Sequence, residues 1–169
     1  MGYRNKTYVA FASEDISHYR MMEAWRDNKK IEFDFYDAHD LCISRDTSTP
    51  EVIKRNLRER LKNAKQIVLL GSINGKKKGD DGVSFLAHEI EVIKEFKLPI
   101  VVVNLNQSRT VEKSFIPNLL LNAEYYTVSV SYQPAIIINA LDNYTAQFSK
   151  GTDKGPHQYN EQVYKSLGL

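Results

Sequence analysis

Short apolar runs alternate with segments of helical spacing along this chain, and this alternation constrains the fold more than any other feature. The apolar run Gln66–Leu70 (QIVLL) is too short for a helix and is typical of a buried strand. Pro99–Leu105 (PIVVVNL) is the run of the chain that is richest in strand-forming residues. Continuous apolar strands are typical of parallel sheets whose two faces are covered by helices. The sequence therefore predicts an α/β fold.

The same patterns predict five strands and four helices. The predicted strands are Thr7–Ser13, Glu32–Tyr36, Gln66–Leu70, Pro99–Leu105 and Tyr125–Val130. The predicted helices are one after Ser13, one starting at Pro50 behind Ser48 and Thr49 as N-cap, Val83–Phe96 and Pro134–Phe148. Gly75–Gly82 (GKKKGDDG) is predicted to be a flexible charged loop.

Five such strands predict a flavodoxin-like three-layer sandwich around a central, mostly parallel five-stranded sheet. We expect residues 1–149 to form one domain and residues 150–169 to form a polar, loosely packed tail. Ligands of such sheets bind beyond the carboxyl ends of the strands, where the winding direction reverses. Ser13, Asp37 and Ser72 follow the first three strands and are therefore the first candidate binding residues.

Composition narrows the classes of partner. The chain has 23 basic and 21 acidic residues, so it lacks the basic excess of nucleic-acid-binding proteins. Cys42 is its single cysteine, which fits a reducing compartment. No signal-like core or membrane-length apolar run is present. We expect a cytoplasmic protein that binds neither nucleic acid nor membrane and has no metal site, since His39, Asp40 and Cys42 lack a second ligand cluster.

Glu89 is the residue that departs from its pattern. On a helical wheel it lies within the apolar stripe of the Val83–Phe96 segment, which comprises Phe85, Leu86, Ile90, Ile93 and Phe96. Its polar neighbours fall on the opposite, solvated face; these are His88, Glu91, Lys94 and Glu95. A carboxylate that faces a core is costly unless it is paired or borders a cavity. Glu89 is therefore either half of a structural ion pair or part of a functional site.

Four short motifs together resemble one protein family. They are Phe11-Ala-Ser13-Glu-Asp15, Phe35-Tyr-Asp37, Ile67-Val-Leu-Leu-Gly-Ser72 and Glu89-Ile90. In this combination and order, the chain up to about Asn106 resembles the TIR-like domains of the bacterial Thoeris antiphage system, the ThsB-type proteins. That family often has an aromatic residue immediately before this glutamate, whereas this chain has His88.

The resemblance implies a TIR-like fold and an enzyme that consumes NAD as substrate, without a cofactor, with Glu89 as its catalytic residue. It also implies a phage-derived trigger and a downstream effector that senses the product. The candidate substrate-binding residues are Phe11, Ala12, Ser13, Asp37, Arg45, Ser72, Phe85 and His88.

The chemistry of NAD suits a buried carboxylate. Cleavage of the nicotinamide–ribosyl bond releases a neutral leaving group from a cation and builds positive charge on the ribose, which a fixed carboxylate stabilises. Exclusion of water by Phe85, Ile93 and Phe96 favours attack by a hydroxyl of the same substrate. We therefore expect an ADP-ribose product; exclusion of water favours the cyclic form, and the sequence leaves both the cyclic and the linear form open.

Two other functions fit the same sequence. One is a non-enzymatic TIR-type assembly module, in which Glu89 is structural and the Asp37–Ser48 loop mediates self-assembly. The other is a different flavodoxin-like ribosyl-transfer enzyme, such as a nucleoside deoxyribosyltransferase, which also uses a glutamate at a ribosyl carbon.

Overall fold

The computed structural model describes residues 6–33, 36–37 and 49–169, and of residues 36 and 37 only the backbone. The strands are β1 (Lys6–Ala10), β2 (Tyr36–Asp37), β3 (Gln66–Gly71), β4 (Ile100–Asn104), β5 (Thr127–Ser131) and β6 (Pro156–Gln158). The α-helices are α1 (Ile16–Asp27), α2 (Pro50–Leu61), α3 (Ile73–Asp80), α4 (Phe85–Glu95), α5 (Asn118–Leu121), α6 (Pro134–Phe148) and α7 (Glu161–Ser166).

All six strands join one parallel sheet in the order β2-β1-β3-β4-β5-β6. The chain first winds from β1 to β2 on one side and then from β3 onward on the other, so the winding direction reverses between β1 and β3. The carboxyl ends of these two strands are the switch point at which ligands of such sheets bind. The predicted flavodoxin-like α/β fold is confirmed.

Helices cover both faces of the sheet and create two separate cores. The first core joins side chains of α1, α6 and α7, such as Tyr19, Ile137 and Tyr164, to one face. The second joins side chains of α2, α4 and α5, such as Leu57, Ile90 and Leu120, to the other. We call these the α1 face and the α4 face. Among the described residues, no helix has the length and apolar composition to cross a membrane.

The C-terminal segment corrects the prediction of a loosely packed tail. Its strand β6 pairs with β5 and becomes a sixth strand where five were expected. In α7, Tyr164 is completely buried and its hydroxyl accepts a hydrogen bond from the Ser131 amide at 3.1 Å. The segment is polar on average, but Val163, Tyr164 and Leu167 form an apolar side that packs against the α1 face.

Helix α3 corrects the prediction of a flexible loop over Gly75–Gly82. Ser72 caps this helix by accepting a hydrogen bond from the Gly75 amide at 2.8 Å. A Cβ atom on Gly79 would lie 2.6 Å from Pro117 Cγ and 2.9 Å from Ile90 Cδ1. The glycines that predict a loop therefore serve close packing of a helix, whose contacts offset their poor helix propensity.

Tyr164→Ala tests whether α7 is part of the folded core. Removal of a completely buried tyrosine leaves a cavity and strands the Ser131 amide, so we expect the free energy of unfolding to fall by about 3–5 kcal/mol. The measurement is urea unfolding followed by circular dichroism. Gln162→Ala, an exposed position in the same helix, is the control. Equal stability of the two variants would contradict a packed α7.

Candidate functional site

Glu89 lies in the second turn of α4 with 1% of its surface exposed. The turn before the helix is fixed by Asp81, whose Oδ1 accepts hydrogen bonds from the amides of Val83 at 2.9 Å and Ser84 at 2.7 Å. Helix α4 then directs Leu86, Ile90 and other apolar side chains into the α4 face. The helical spacing of the sequence correctly places Glu89 on the buried side.

His88 is a correction to the helical-wheel interpretation, which placed it on the solvated face. It is 3% exposed, and its Nδ1 atom has no hydrogen-bond partner within the described ranges. The reason is that α4 contacts both α2 and α3 as well as the core of the α4 face. The buried arc of the helix is therefore wider than the apolar stripe, and it includes His88 next to Glu89.

The outer edge of α4 is tied to α2 by two ion pairs. Lys54 Nζ lies 2.5 Å from Glu91 Oε2, and Arg58 Nε lies 3.1 Å from Glu95 Oε1. The two basic residues are one turn apart on α2, and their acidic partners are one turn apart on α4 in the same order. The two helices therefore run side by side in the same direction. Glu91 and Glu95 are thus partly exposed surface partners, as the sequence predicts, and Glu89 is chemically distinct from both.

Two polar side chains act on the Glu89 carboxyl. Burial raises the pKa of Glu89 to about 8, whereas the nearby hydroxyl of Tyr8 in β1 and, more weakly, the charge of Arg60 in α2 act to lower it. The Oε2 atom of Glu89 is buried and has no hydrogen-bond partner among the described residues. At neutral pH the carboxyl is therefore mostly protonated and can still accept a hydrogen bond from a ligand.

Sequence reasoning missed Tyr8 and Arg60. A usable signal for Tyr8 was the alternation along the first strand, which places Tyr8, Ala10 and Ala12 on one face of the sheet. Nothing in the local pattern of α2 distinguishes Arg60 from the other basic residues of that helix.

The candidate binding residues of the first strand divide between the two faces. Ala12 belongs to the α4 face, where Phe85 packs at the margin, so both share a face with Glu89. Phe11 belongs to the α1 face, and its ring stacks on Tyr19 with 4.9 Å between centroids. The structure therefore separates the Phe11 side chain from the carboxyl, and only its backbone is near the switch point.

The carboxyl ends of β1 and β3 are joined by side chains. Ser72 Oγ donates to Asp15 Oδ2 at 2.5 Å, and Asp15 is 6% exposed. The Ser72 hydroxyl, which also caps α3, therefore has two structural contacts. Ser13 is exposed beside this pair.

On the β2 side of the site, the side chains of the candidate residues lie outside the part of the chain that the structure describes. Asp37 ends β2, but its side chain is not described, and Arg45 lies outside the described residues. The same is true of His39, Asp40 and Cys42. In the described ranges, no group of three His, Cys, Asp or Glu side chains is arranged to hold a metal ion.

The family follows from a match that includes both Tyr8 and Glu89. Residues 8–110 match the model of the family described as Thoeris protein ThsB, TIR-like domain. The chain belongs to this family. The ThsB TIR-like match runs from β1 through β4, and it confirms the resemblance drawn from the four motifs. A comparison with curated proteins found no match.

The matched region supports a defence-related role for this ThsB TIR-like domain. Its boundary falls after β4, so the switch point, α3 and α4 all lie within the region that defines the family. Strand β5, α6, β6 and α7 complete the sheet and the α1 face beyond it.

Glu89→Gln tests the cost of burying this carboxyl. The pKa of about 8 in the folded state exceeds the ordinary value of 4.5, so the folded protein keeps a proton that the unfolded chain releases between these values. The stabilisation by this proton is complete below the lower value and is lost as the pH rises through the higher one. Glutamine does not ionise, so the variant should gain stability relative to the wild type, by on the order of 4 kcal/mol between about pH 5 and pH 8.

The measurement is urea unfolding of both proteins across this pH range. Glu91→Gln, which changes a partly exposed carboxylate two residues away, should show a small difference that stays nearly constant. A constant difference for Glu89→Gln as well would contradict the raised pKa.

Proposed function

We propose that this ThsB TIR-like domain cleaves the nicotinamide–ribosyl bond of NAD, with Glu89 as the catalytic carboxylate and an ADP-ribose signal, in its cyclic form, as product. The observation that carries the proposal is a fully buried carboxyl with an unsatisfied oxygen on the face of the sheet that holds Ala12 and Phe85. Buried ionisable groups with perturbed pKa values are concentrated at functional sites.

The charge of the substrate complements this carboxyl. Ionised Glu89 is the form that stabilises positive charge on the ribose, whereas burial favours the protonated form before substrate binds. The nicotinamide ring of NAD carries a positive charge, and an opposite charge nearby lowers the pKa of a carboxyl. Substrate binding then favours the ionised form of Glu89, whose proton is released to the solvent, and the low-dielectric surroundings strengthen the interaction of the carboxylate with the oxocarbenium-like transition state.

The other proposed substrate contacts come from three parts of the site, and they involve side chains at some residues and the backbone at others. Ala12, Phe85 and His88 contribute from the α4 face, and Ser13 contributes from the exposed turn after β1. In that turn the charge of Glu14 is offset by Lys78, whose Nζ lies 3.7 Å from Glu14 Oε1. Asp37 and Arg45 contribute from the β2 side. Phe11 and Ser72 contribute through their backbone, because their side chains contact Tyr19 and Asp15.

The cellular setting is part of the same proposal. The domain acts in the cytoplasm, where a phage-derived trigger activates it, self-assembly accompanies activation, and a downstream effector senses the product. This setting determines how the enzyme must be assayed, since a resting sample need not be active.

Glu89→Gln should abolish NAD consumption while the fold is retained. Glutamine keeps the shape and removes the negative charge on which the transition state depends, so we expect a loss of at least about a hundredfold. Nicotinamide release is measured by chromatography, with and without an extract of phage-infected cells. Glu91→Gln on the same helix is the matched control and should keep wild-type activity. Full activity in Glu89→Gln would exclude this mechanism, and a silent wild type under both conditions would favour the assembly module.

The rate should also depend on pH through Glu89. Because the active form is ionised and the pKa of the free carboxyl is about 8, kcat/KM should rise with pH and level off above this value. The corresponding midpoint for kcat should be lower, since bound NAD favours ionisation. Initial rates across about pH 5.5 to 9.5 measure both curves. A pH-independent kcat/KM would argue against Glu89 as the ionising group.

A further inference from the structure

We propose that a groove at the amino-terminal end of the sheet is a second ligand site of this domain and that its ligand is a nucleotide, with a base, a ribose and phosphate. The residues that line this amino-end groove fall within 61–65, 96–99, 123–126 and 142–153, and its volume is about 1440 Å³. These segments precede β3, β4 and β5, whereas the candidate NAD site lies at the carboxyl ends of the strands. The inference therefore goes beyond NAD cleavage and does not depend on it.

The side of the groove formed by α2 and α4 is basic. Lys62 and Lys65 lie between α2 and β3, Lys97 lies between α4 and β4, and all three are exposed. Lys62 pairs with Glu59 at 2.7 Å, whereas Lys65 and Lys97 form no ion pair within the described part of the chain. Their charge exceeds the partial negative charge at the C-terminal ends of the two helices. This side of the groove therefore attracts phosphate.

Aromatic rings supply the surface for a base. Tyr125, Tyr126 and Phe148 are each partly exposed in the groove. The centroid of the Phe148 ring lies 5.7 Å from that of Tyr125 and 6.3 Å from that of Tyr126. Phe96, at the end of α4, adds another partly exposed ring. Nucleobases stack favourably on such rings whatever their sequence identity.

Tyrosine hydroxyls hold this aromatic surface in place. The Tyr125 hydroxyl donates to the Leu98 carbonyl at 2.6 Å and joins the turn before β5 to the turn before β4. The Tyr144 hydroxyl donates to the Tyr126 carbonyl at 2.5 Å and accepts from the Ile100 amide at 3.1 Å. The groove is therefore formed before a ligand enters, which lowers the entropic cost of binding.

The side of the groove formed by α6 carries carboxylates. Asp142 and Asp153 line it, and Asp153 Oδ2 accepts a hydrogen bond from Gln147 Nε2 at 2.6 Å. Carboxylates repel phosphate but accept hydrogen bonds from ribose hydroxyls and from the amino group of a base. The two charged sides thus orient a nucleotide, with its phosphate towards α2 and α4. A simple anion would use only one of these sides.

Two residues of the groove keep a side chain where glycine is usual. Lys97 follows α4 with a φ of 52°, and Glu124 lies in the turn after α5 with a φ of 50°. Helices commonly end on a glycine in this conformation, because a Cβ atom is unfavourable there. No ion pair with a described residue offsets the cost at Lys97, and a bound phosphate gives this lysine a role.

Calorimetric titration of the whole chain with ADP tests the proposal. ADP should bind about tenfold or more tightly than adenosine, which lacks the phosphates, and than pyrophosphate, which lacks the base. Lys97→Gly should weaken ADP binding about fivefold, and its Tm should be unchanged or higher, since glycine relieves the positive φ. Lys113→Ala, an exposed lysine outside the groove, is the control and should bind ADP as the wild type does.

Three results would overturn the inference. They are no saturable binding of ADP at millimolar concentration, equal affinity for pyrophosphate and ADP, and unchanged affinity for ADP in both Lys97→Gly and Lys65→Ala. The last result would place ADP elsewhere, for example at the candidate NAD site. Glu89→Gln should bind ADP in the groove as the wild type does, so loss of NAD cleavage and loss of this binding can be distinguished.

Discussion

Burial of one carboxyl between a helix and a parallel sheet is the constraint on which the rest of this structure depends. With a pKa of about 8, Glu89 costs the folded protein up to about 5 kcal/mol once it ionises, which is comparable to the whole stability of an ordinary domain. Two complete cores, one on each face of the sheet, supply the apolar burial that tolerates this cost. The ion pairs between α2 and α4 lie outside the core. They align the two helices with each other and add little to the free energy of unfolding.

Periodicity and capping made most of the fold predictable. The last long helix runs from Pro134 to Phe148 in both prediction and structure, and α2 begins at Pro50 behind Thr49, whose hydroxyl accepts from the Val52 amide. The errors arose where a local signal is overruled by distant packing. Helix α3 is rich in glycine because Pro117 and Ile90 lie against Gly79, and the C-terminal segment folds because one tyrosine completes the α1 face.

The candidate site was likewise predictable where a local sequence pattern determines it and unpredictable where distant packing does. Glu89 could be found because helical spacing alone placed it among apolar residues, and the family match supports the motifs around it. The burial of His88 could not be found, since it depends on two flanking helices. The burial of Tyr8 on the same face as α4 could not be found either, because it depends on β1 lying beside β3 beneath that helix, a contact that no local pattern contains. The Phe11 side chain was assigned to the binding site from its motif, but strand alternation directs it to the opposite face.

The bond between Ser72 and Asp15 has a mechanical consequence for the cleft. It joins the turn after β1 to the start of α3, and the partly exposed Lys78–Glu14 ion pair joins the same turn to the last turn of α3. Separation of the turn after β1 from α3 therefore requires the loss of the hydrogen bond that Ser72 donates to the buried Asp15 carboxyl, whereas the cap that Ser72 provides to α3 is a separate bond. One serine thus connects the first and third strands at their carboxyl ends, and the backbone positions on this side of the switch point are set by contacts within the protein.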